Sequence, residues 1–318
     1  MSLVYAHEPV MAAEVVELFS AVPPGAIVDV TLGGGGHAEA LLSSREDLRV
    51  IGIDRDPEAL DAAARRLAGF GARAMVARGA FGDLSALVHD QGIEEGLVSG
   101  VLFDLGVSSP QLERPERGFS YRNDGPLDMR MDQTSGRTAA DLVNTADERH
   151  LARIFAANGE ARFAKRIAGA IVSARPIWST TELAEVVRGA IPAFARRTGG
   201  HPARRVFQAI RIAVNDELDQ LEAALPQAID LLAPGGRLVV ISYHSGEDSI
   251  TKAAMADAVS GGCSCPRGLP CGCGAVSLGH LPFRSARRPS EAEIARNRRS
   301  ESARMRCFER GSPTGGPR

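Results

Sequence analysis

The chain has 318 residues, 44% hydrophobic and 24% charged, with a formal net charge of −2. That length exceeds one ordinary core, so two domains, or one domain carrying a large insertion, are expected. The charge balance excludes a uniformly basic nucleic-acid binder, the composition excludes wholesale disorder, and no apolar run approaches the about 18 residues of a membrane span.

The opening "MSLVYAHEPVM" has no charged stretch followed by a long apolar one, so no export signal is read and a cytoplasmic address is expected. A β-branched apolar run, "AIVDVTL" (26–32), predicts a buried strand, and "GHAEALLSS" after it a helix. "RVIGID" (49–54) predicts a second strand, followed by the helix "PEALDAAARRLAGF" with Pro57 in its first turn. "ARAMVAR" (72–78), the helix "FGDLSALVHDQ" and the strand "GVLFDLG" (100–106) continue the alternation, which implies a parallel α/β sheet with helices on both faces. From about Arg114 to Ala213 only helical stretches are found. One long helix, "RVFQAIRIAVNDELDQLEAAL", then leads through a Pro-Gly-Gly turn at 234–236 into the strand "RLVVISY" (237–243). The expected organisation is an α/β domain over 1–113 and 214–310, interrupted by a helical insertion over 114–213. A frayed tail follows over 311–318.

Four successive glycines in "VDVTLGGGGHAEALL" (28–42) lie between a strand and a helix, where glycine lets the backbone approach a ligand and helix N–H groups are free. Gly33, Gly35 and Ala38 satisfy the dinucleotide pattern G-x-G-x-x-G/A, and Asp54 follows Gly33 by 21 positions (54 − 33), at the end of the next strand. An acid there binds a ribose diol, which dinucleotides and S-adenosylmethionine share. Asp29, four residues before Gly33 (33 − 29), favours the second ligand, whose ammonium group an acid inside the first strand can hold.

Asp104 ends the fourth strand, the edge where α/β sheets place ligands, and "DLGVSSP" follows with Ser108 and Ser109. Methyltransferases acting on exocyclic amines carry hydrogen-bond acceptors at this place, and Asp104 and the Ser108 region can supply them. Arginines cluster in 195–211 (five, no acid) and 284–310 (nine, against four acids), suited to phosphate contacts. Cys263, Cys265, Cys271 and Cys273 have the spacing C-x-C-x5-C-x-C. Four thiolates suit zinc, yet the usual structural knuckle is C-x-x-C, so no metal is assigned from sequence.

The chain closely resembles the bacterial 16S ribosomal RNA cytosine-N4 methyltransferases of the MraW type. The resemblance runs in order through "HEPVM" (7–11), "DVTLGGGGHAEALL", "IGIDRDPEAL", "LFDLGVSSPQLERPERGFSY", "DGPLDMRMD", "GEARFAKRIA", "HPARRVFQAIRIAVNDEL", "PGGRLVVISYHSGED" and "RPSEAEI". It implies a Rossmann-like S-adenosylmethionine-dependent methyltransferase sheet with an inserted all-helical domain for substrate recognition. The implied cofactor contacts are Gly35, Gly36, His37, Asp54, Phe81 (against the adenine), Asp104 and Gln111. The implied substrate is a decoding-centre cytidine of 16S rRNA in the small ribosomal subunit, methylated on N4. Asp104 and Ser108 are the candidate catalytic groups, Asp104 either as acceptor for the target amine or as partner of the cofactor's amino-acid end. His201, Arg205 and His244 are candidates for gripping RNA or the target base, and Tyr121 can stack on a base.

The chain departs from the family pattern at Arg204-Arg205-Val206, at Tyr243 and Gly246 in "YHSGED", and at Asn297 to Ser302. These departures are read as lying outside the cofactor set. Alternatives are an NAD-dependent dehydrogenase, on the glycine loop alone, and an RNA-binding ribosome-assembly factor whose methylation is incidental. A homodimer is compatible with the sequence.

Overall fold

The computed structural model describes residues 9–193, 195, 201–266 and 272–312. The chain divides into two compact units, one formed by the residues up to Gly106 and from Leu218 onward, the other by Val107–Glu217. The second unit therefore starts before, and ends after, the insertion expected over 114–213.

Unit 1 opens with α1 (Ala12–Ser20), which the sequence reading missed, and then alternates β1 (Gly25–Asp29), α2 (Gly36–Ser44), β2 (Leu48–Asp54), α3 (Pro57–Leu67), β3 (Ala74–Arg78), α4 (Leu84–His89) and β4 (Val98–Asp104). Unit 2 carries α5 (Ser109–Glu113), α6 (Ala139–Thr145), α7 (Glu148–Ala157), α8 (Ala164–Ala174), α9 (Thr180–Ala190) and α10 (Arg204–Asn215). The chain then forms α11 (Glu217–Leu231), β5 (Leu232–Ser242), α12 (Ser245–Ser260), β6 (Gly279–His280), α13 (Glu291–Arg296) and β7 (Arg304–Arg310).

The sheet order is β3-β2-β1-β4-β5-β7-β6, with β1 to β5 parallel and β7 antiparallel to both β5 and β6. This is a Rossmann-like α/β sheet, and its order reverses between β1 and β4. Such a reversal opens a crevice at the carboxyl ends of the two strands. Both faces are buried, which explains the continuous apolar runs. Val101, Phe103, Leu238 and Val240 face one core with α4, α11 and α12. Leu102, Val239 and Ile241 alternate into the other, with α1, α2 and α3.

Three expectations are corrected. The single long helix is two, because Asp216 takes a left-handed conformation (φ 51°) between α10 and α11. Asp tolerates that region better than most residues because its short polar side chain bonds locally. The strand expected at 237–243 begins at Leu232, and its register with β4 shifts between the Val98↔Leu232 and Gly100↔Arg237 pairs, where the Pro-Gly-Gly segment bulges. The arginine-rich segment, read as suited to phosphate contacts, is in part the strand β7, whose Met305, Cys307 and Phe308 are buried in the cores.

Unit 2 packs Leu142, Phe155, Ile167, Ile171, Leu183, Val187, Phe207 and Ile210 into its own core. Helices α6, α7 and α9 start at side-chain caps: Thr138 Oγ1 accepts from Asp141 N–H, Asp147 from His150 N–H, and Ser179 Oγ from Glu182 N–H. The segment before α6 is tied down by buried polar groups: Asn215 donates to the Met129 carbonyl and accepts from Met131 N–H, and the Arg117 guanidinium donates to the Arg130 and Met131 carbonyls. No described helix is long and apolar enough to cross a membrane.

Candidate functional site

The carboxyl ends of β1, β2 and β4 carry Asp29, Asp54 and Asp104, three acids around the crevice where the sheet order reverses. Between β1 and α2, the Gly35 N–H donates to the Leu32 carbonyl at 2.8 Å, closing a turn in which Gly33 (φ 51°) and Gly35 (φ 76°) are left-handed. Gly35 suits the left-handed conformation this turn needs, and a Cβ there would also stand a tight 3.3 Å from Ala63 Cβ of α3. On Gly33 a Cβ would meet only the Thr31 carbonyl, at 3.8 Å, so that face of the loop is open.

The loop is pinned to the end of β2. Asp54 Oδ2 accepts from Gly33 N–H at 2.8 Å and Oδ1 from Asp56 N–H at 2.9 Å. Burial raises the Asp54 pKa to about 6, against the pull of these N–H donors. Asp29 is 1% exposed, and its Oδ2 has no hydrogen-bond partner among the described residues. Burial pushes its carboxyl up to about 7, partly offset by His37. His37, in the first turn of α2, is buried with its Nε2 3.3 Å from Asp104 Oδ2. Burial works to lower its pKa, but the Asp104 and Asp29 carboxylates override this and hold it above the usual histidine value.

Asp104 is the centre of this constellation. Its N–H donates to Thr31 Oγ1 at 2.6 Å, and its Oδ1 accepts from the Tyr243 hydroxyl at 2.7 Å. Tyr243 follows the end of β5, and its phenol pKa is raised well above 10 by burial and by the Asp104 charge. This corrects the reading that the departures from the family pattern avoid the cofactor set, since Tyr243 touches Asp104. β4 and β5 were both expected strands, but only the sheet order makes them neighbours and pairs Asp104 with Ile241, two residues before Tyr243.

Phe81 follows β3 in a short 3-10 turn and sits edge-to-face on Phe103, with ring centroids 5.9 Å apart. His244 caps α12: its Nδ1 accepts from Gly246 N–H at 3.2 Å and Glu247 N–H at 3.4 Å, and its Nε2 is 3.0 Å from Glu247 Oε1. An accepting Nδ1 puts the proton on Nε2 in the neutral ring.

In unit 2, Ser108 precedes α5, and the Gln111 side chain accepts from its N–H at 3.0 Å. The Ser108 hydroxyl is buried without a hydrogen-bond partner among the described residues. Tyr121 stacks on His201, centroids 4.4 Å apart and planes 12° from parallel, and meets Phe207 edge-on. Tyr121, Arg122, His201 and Arg204 line an open recess of about 490 Å³. Arg205 is 59% exposed and 3.7 Å from the buried Glu160.

The arginines of 284–310 are in part committed to acids of the same chain: Arg304 and Arg306 to the buried Asp248, and Arg310 and Arg287 to the exposed Asp230 and Glu17. In the other cluster, Arg196 and Arg197 lie outside the described residues, as does Cys271.

Of the three acids, Asp29 bears on the choice between the two ligands of the glycine loop. Facing a buried carboxylate with an unpartnered oxygen, a pyrophosphate dianion is repelled, whereas a ligand with an ammonium and a sulfonium is attracted. The MraW methylase family profile matches residues 4–311. The chain belongs to the MraW methylase family. It is 52% identical over 317 residues to the ribosomal RNA small subunit methyltransferase H of Thermobifida fusca (strain YX), covering 96% of this chain and 93% of the relative. Proteins of the same name from Heliobacterium modesticaldum and Mycobacterium tuberculosis (strain H37Rv) are 48% and 50% identical, covering 97% and 96% of this chain and 99% and 80% of theirs. The methyl donor of this methylase is S-adenosylmethionine, and the open glycine face, the unpartnered Asp29 oxygen and the acid-rich crevice fit it.

Proposed function

We propose that this chain methylates the N4 amine of a decoding-centre cytidine in 16S rRNA of the small ribosomal subunit. The observation that carries the chemistry is the Asp104 carboxylate, 22% exposed at the crevice and held between the Tyr243 hydroxyl and His37. The substrate class rests on the likeness, over nearly the whole chain, to proteins named for the small-subunit ribosomal RNA.

Gly35, Gly36 and His37 would hold the cofactor at the loop, Asp29 its ammonium group, Asp54 its ribose, and Phe81 its adenine. Bound there, S-adenosylmethionine supplies an electrophilic methyl on a sulfonium centre. The cytosine amine is a poor nucleophile because its lone pair is conjugated into the ring. An acceptor at its N–H favours a more pyramidal nitrogen, and Asp104 provides one at low reorganisation cost because two neighbours already orient it. The methylated amine must shed a proton, and Asp104 Oδ2, beside His37 Nε2, is the acceptor we assign. The roles of Ser108 and Gln111 are tested separately, by Ser108→Ala and Gln111→Ala transfer assays.

The stacked Tyr121–His201 pair with Arg122 and Arg204 offers aromatic faces and positive charge, the combination that holds an unpaired base and its phosphates. Arg205 beside it and His244 in unit 1 are further RNA candidates. Tyr121→Ala is expected to raise KM for RNA roughly tenfold, from about 1–3 kcal/mol of stacking per base, with cofactor affinity unchanged. An unchanged KM removes the platform from the reading.

The deciding experiment incubates the full chain with methyl-labelled S-adenosylmethionine and small subunits lacking this modification, with naked 16S rRNA alongside. Label recovered as N4-methylcytidine at one site in the subunits is the expected result. Label on naked RNA alone moves the substrate to an earlier assembly stage. Absence of label with the cofactor bound overturns the substrate and favours an assembly factor.

A further inference from the structure

The loop after α12 gathers sulfur. α12 ends at Ser260, and the Leu278 N–H donates back to the Ala258 carbonyl at 2.9 Å, so 17 residues (277 − 260) leave and return at one hydrogen-bonded stem. Those of them that are described contain neither helix nor strand. Loops of more than about 12–15 residues without secondary structure are uncommon in compact domains unless something organises them. Gly261 and Gly262, with φ 63° and 73°, turn the chain, and the Cys263 N–H donates to the Ser260 carbonyl, which fixes the start of the loop.

The sulfur atoms of Cys263, Cys265 and Cys273 all lie within 4.8 Å of one another, and those of Cys263 and Cys273 are 3.6 Å apart. Tetrahedral zinc with bonds of about 2.3 Å spaces its sulfur ligands about 3.8 Å apart. A disulfide would need about 2.05 Å, so Cys263 and Cys273 are not bonded to each other. Apolar burial does not explain the convergence either, because Cys273 is exposed and the other two only half-buried. The fifth cysteine shows the contrast: Cys307 is a core residue of β7 whose thiol burial pushes up to about 12.

We propose that Cys263, Cys265 and Cys273 are thiolate ligands of a zinc ion that staples this loop, with a further donor in the fourth position. The cluster shares no residue with the acidic crevice, and the role the proposal gives the ion is structural. Each coordinating thiol gives its proton to solvent as the metal binds, so zinc occupancy falls as pH is lowered.

The test uses the full chain, purified with a reductant and without chelator, equilibrated with zinc and freed of excess. Elemental analysis is expected to find about one zinc per chain, and cobalt substitution the strong visible bands of a tetrahedral thiolate site. Blocking the thiols should release the metal stoichiometrically, with Cys307 left unreacted. The Cys263→Ser, Cys273→Ser double variant should lose the metal and gain hydrogen exchange at the Leu278 stem. A reduced chain that takes up no zinc and gives no cobalt bands overturns the proposal, as does a folded double variant that retains the parent's zinc. The spectra of the unaltered chain decide the matter even if the double variant does not fold.

Discussion

Asp104→Asn is expected to lower methyl transfer by roughly a hundred- to a thousand-fold, the scale seen when one oriented group at a reacting centre is lost. The substitution keeps the shape of the side chain but halves its accepting capacity, and it turns an amide N–H₂ toward either the Tyr243 hydroxyl or His37. Cofactor titration separates the two roles open to this carboxylate. If Asp104 serves the target amine, affinity for S-adenosylmethionine stays within a few-fold while transfer collapses. If it serves the cofactor's amino-acid end, affinity and transfer fall together. Tyr243→Phe removes only the hydroxyl that orients Oδ1, and because the carboxylate is 22% exposed, water can replace that donor. A several-fold loss is expected there. A loss as large as that of Asp104→Asn would show that the phenol itself carries chemistry, and full activity in Asp104→Asn would end the assignment.

How much of this was legible in the sequence depended on whether a segment's local pattern agreed with its environment. β1, β2 and β4 were readable because both sheet faces are covered, which leaves unbroken apolar runs ending in acids at Asp29, Asp54 and Asp104. β7 was not, because Arg304, Arg306 and Arg310 interleave with its buried residues and read as a solvated basic segment. Only the fold brings Asp248 and Asp230 beside those arginines. The break at Asp216 was hidden because the helical periodicity continues on both sides of a single left-handed residue. Tyr243 was seen as a departure but not as a contact, because strand adjacency is a property of the sheet order. The cysteine spacing raised zinc without supporting it, since C-x-C-x5-C-x-C says nothing of whether the loop folds back on itself. His244 was read for its chemistry, whereas the structure uses its ring to cap α12.

Cofactor affinity should depend steeply on pH, because the pocket holds protons that a cationic ligand must displace. Asp29 titrates near 7 and Asp54 near 6 in the folded chain, both above their ordinary 3.8, and His37 is raised above 6.5. The two carboxyl shifts make the folded chain bind more protons than the unfolded one between about pH 4 and 7, and the His37 shift does so from about pH 6.5 upward. The stability the two carboxyls contribute is therefore fully present below about pH 4 and is lost as pH rises through 6 to 7. That of His37 is fully present below about 6.5 and is lost above it, so the ligand-free protein becomes less stable from about pH 6 upward. With the cofactor placed as proposed, S-adenosylmethionine would reverse the preference, since its ammonium would favour an ionised Asp29 and its ribose hydroxyls would donate best to an ionised Asp54. Each carboxylate that must ionise costs about tenfold in affinity per pH unit below its own pKa, so binding should weaken roughly ten- to a hundred-fold from pH 7 to pH 5.5. Calorimetry at pH 6 in buffers of different ionisation enthalpy should detect protons released on binding. Asp29→Asn should remove much of that release, flatten the stability profile above pH 5 and raise ligand-free stability at pH 8, while weakening the cofactor at every pH. Binding without proton release at pH 6 would mean that both carboxyls are already ionised, and with that the burial of Asp29 would lose its part in choosing a cationic ligand.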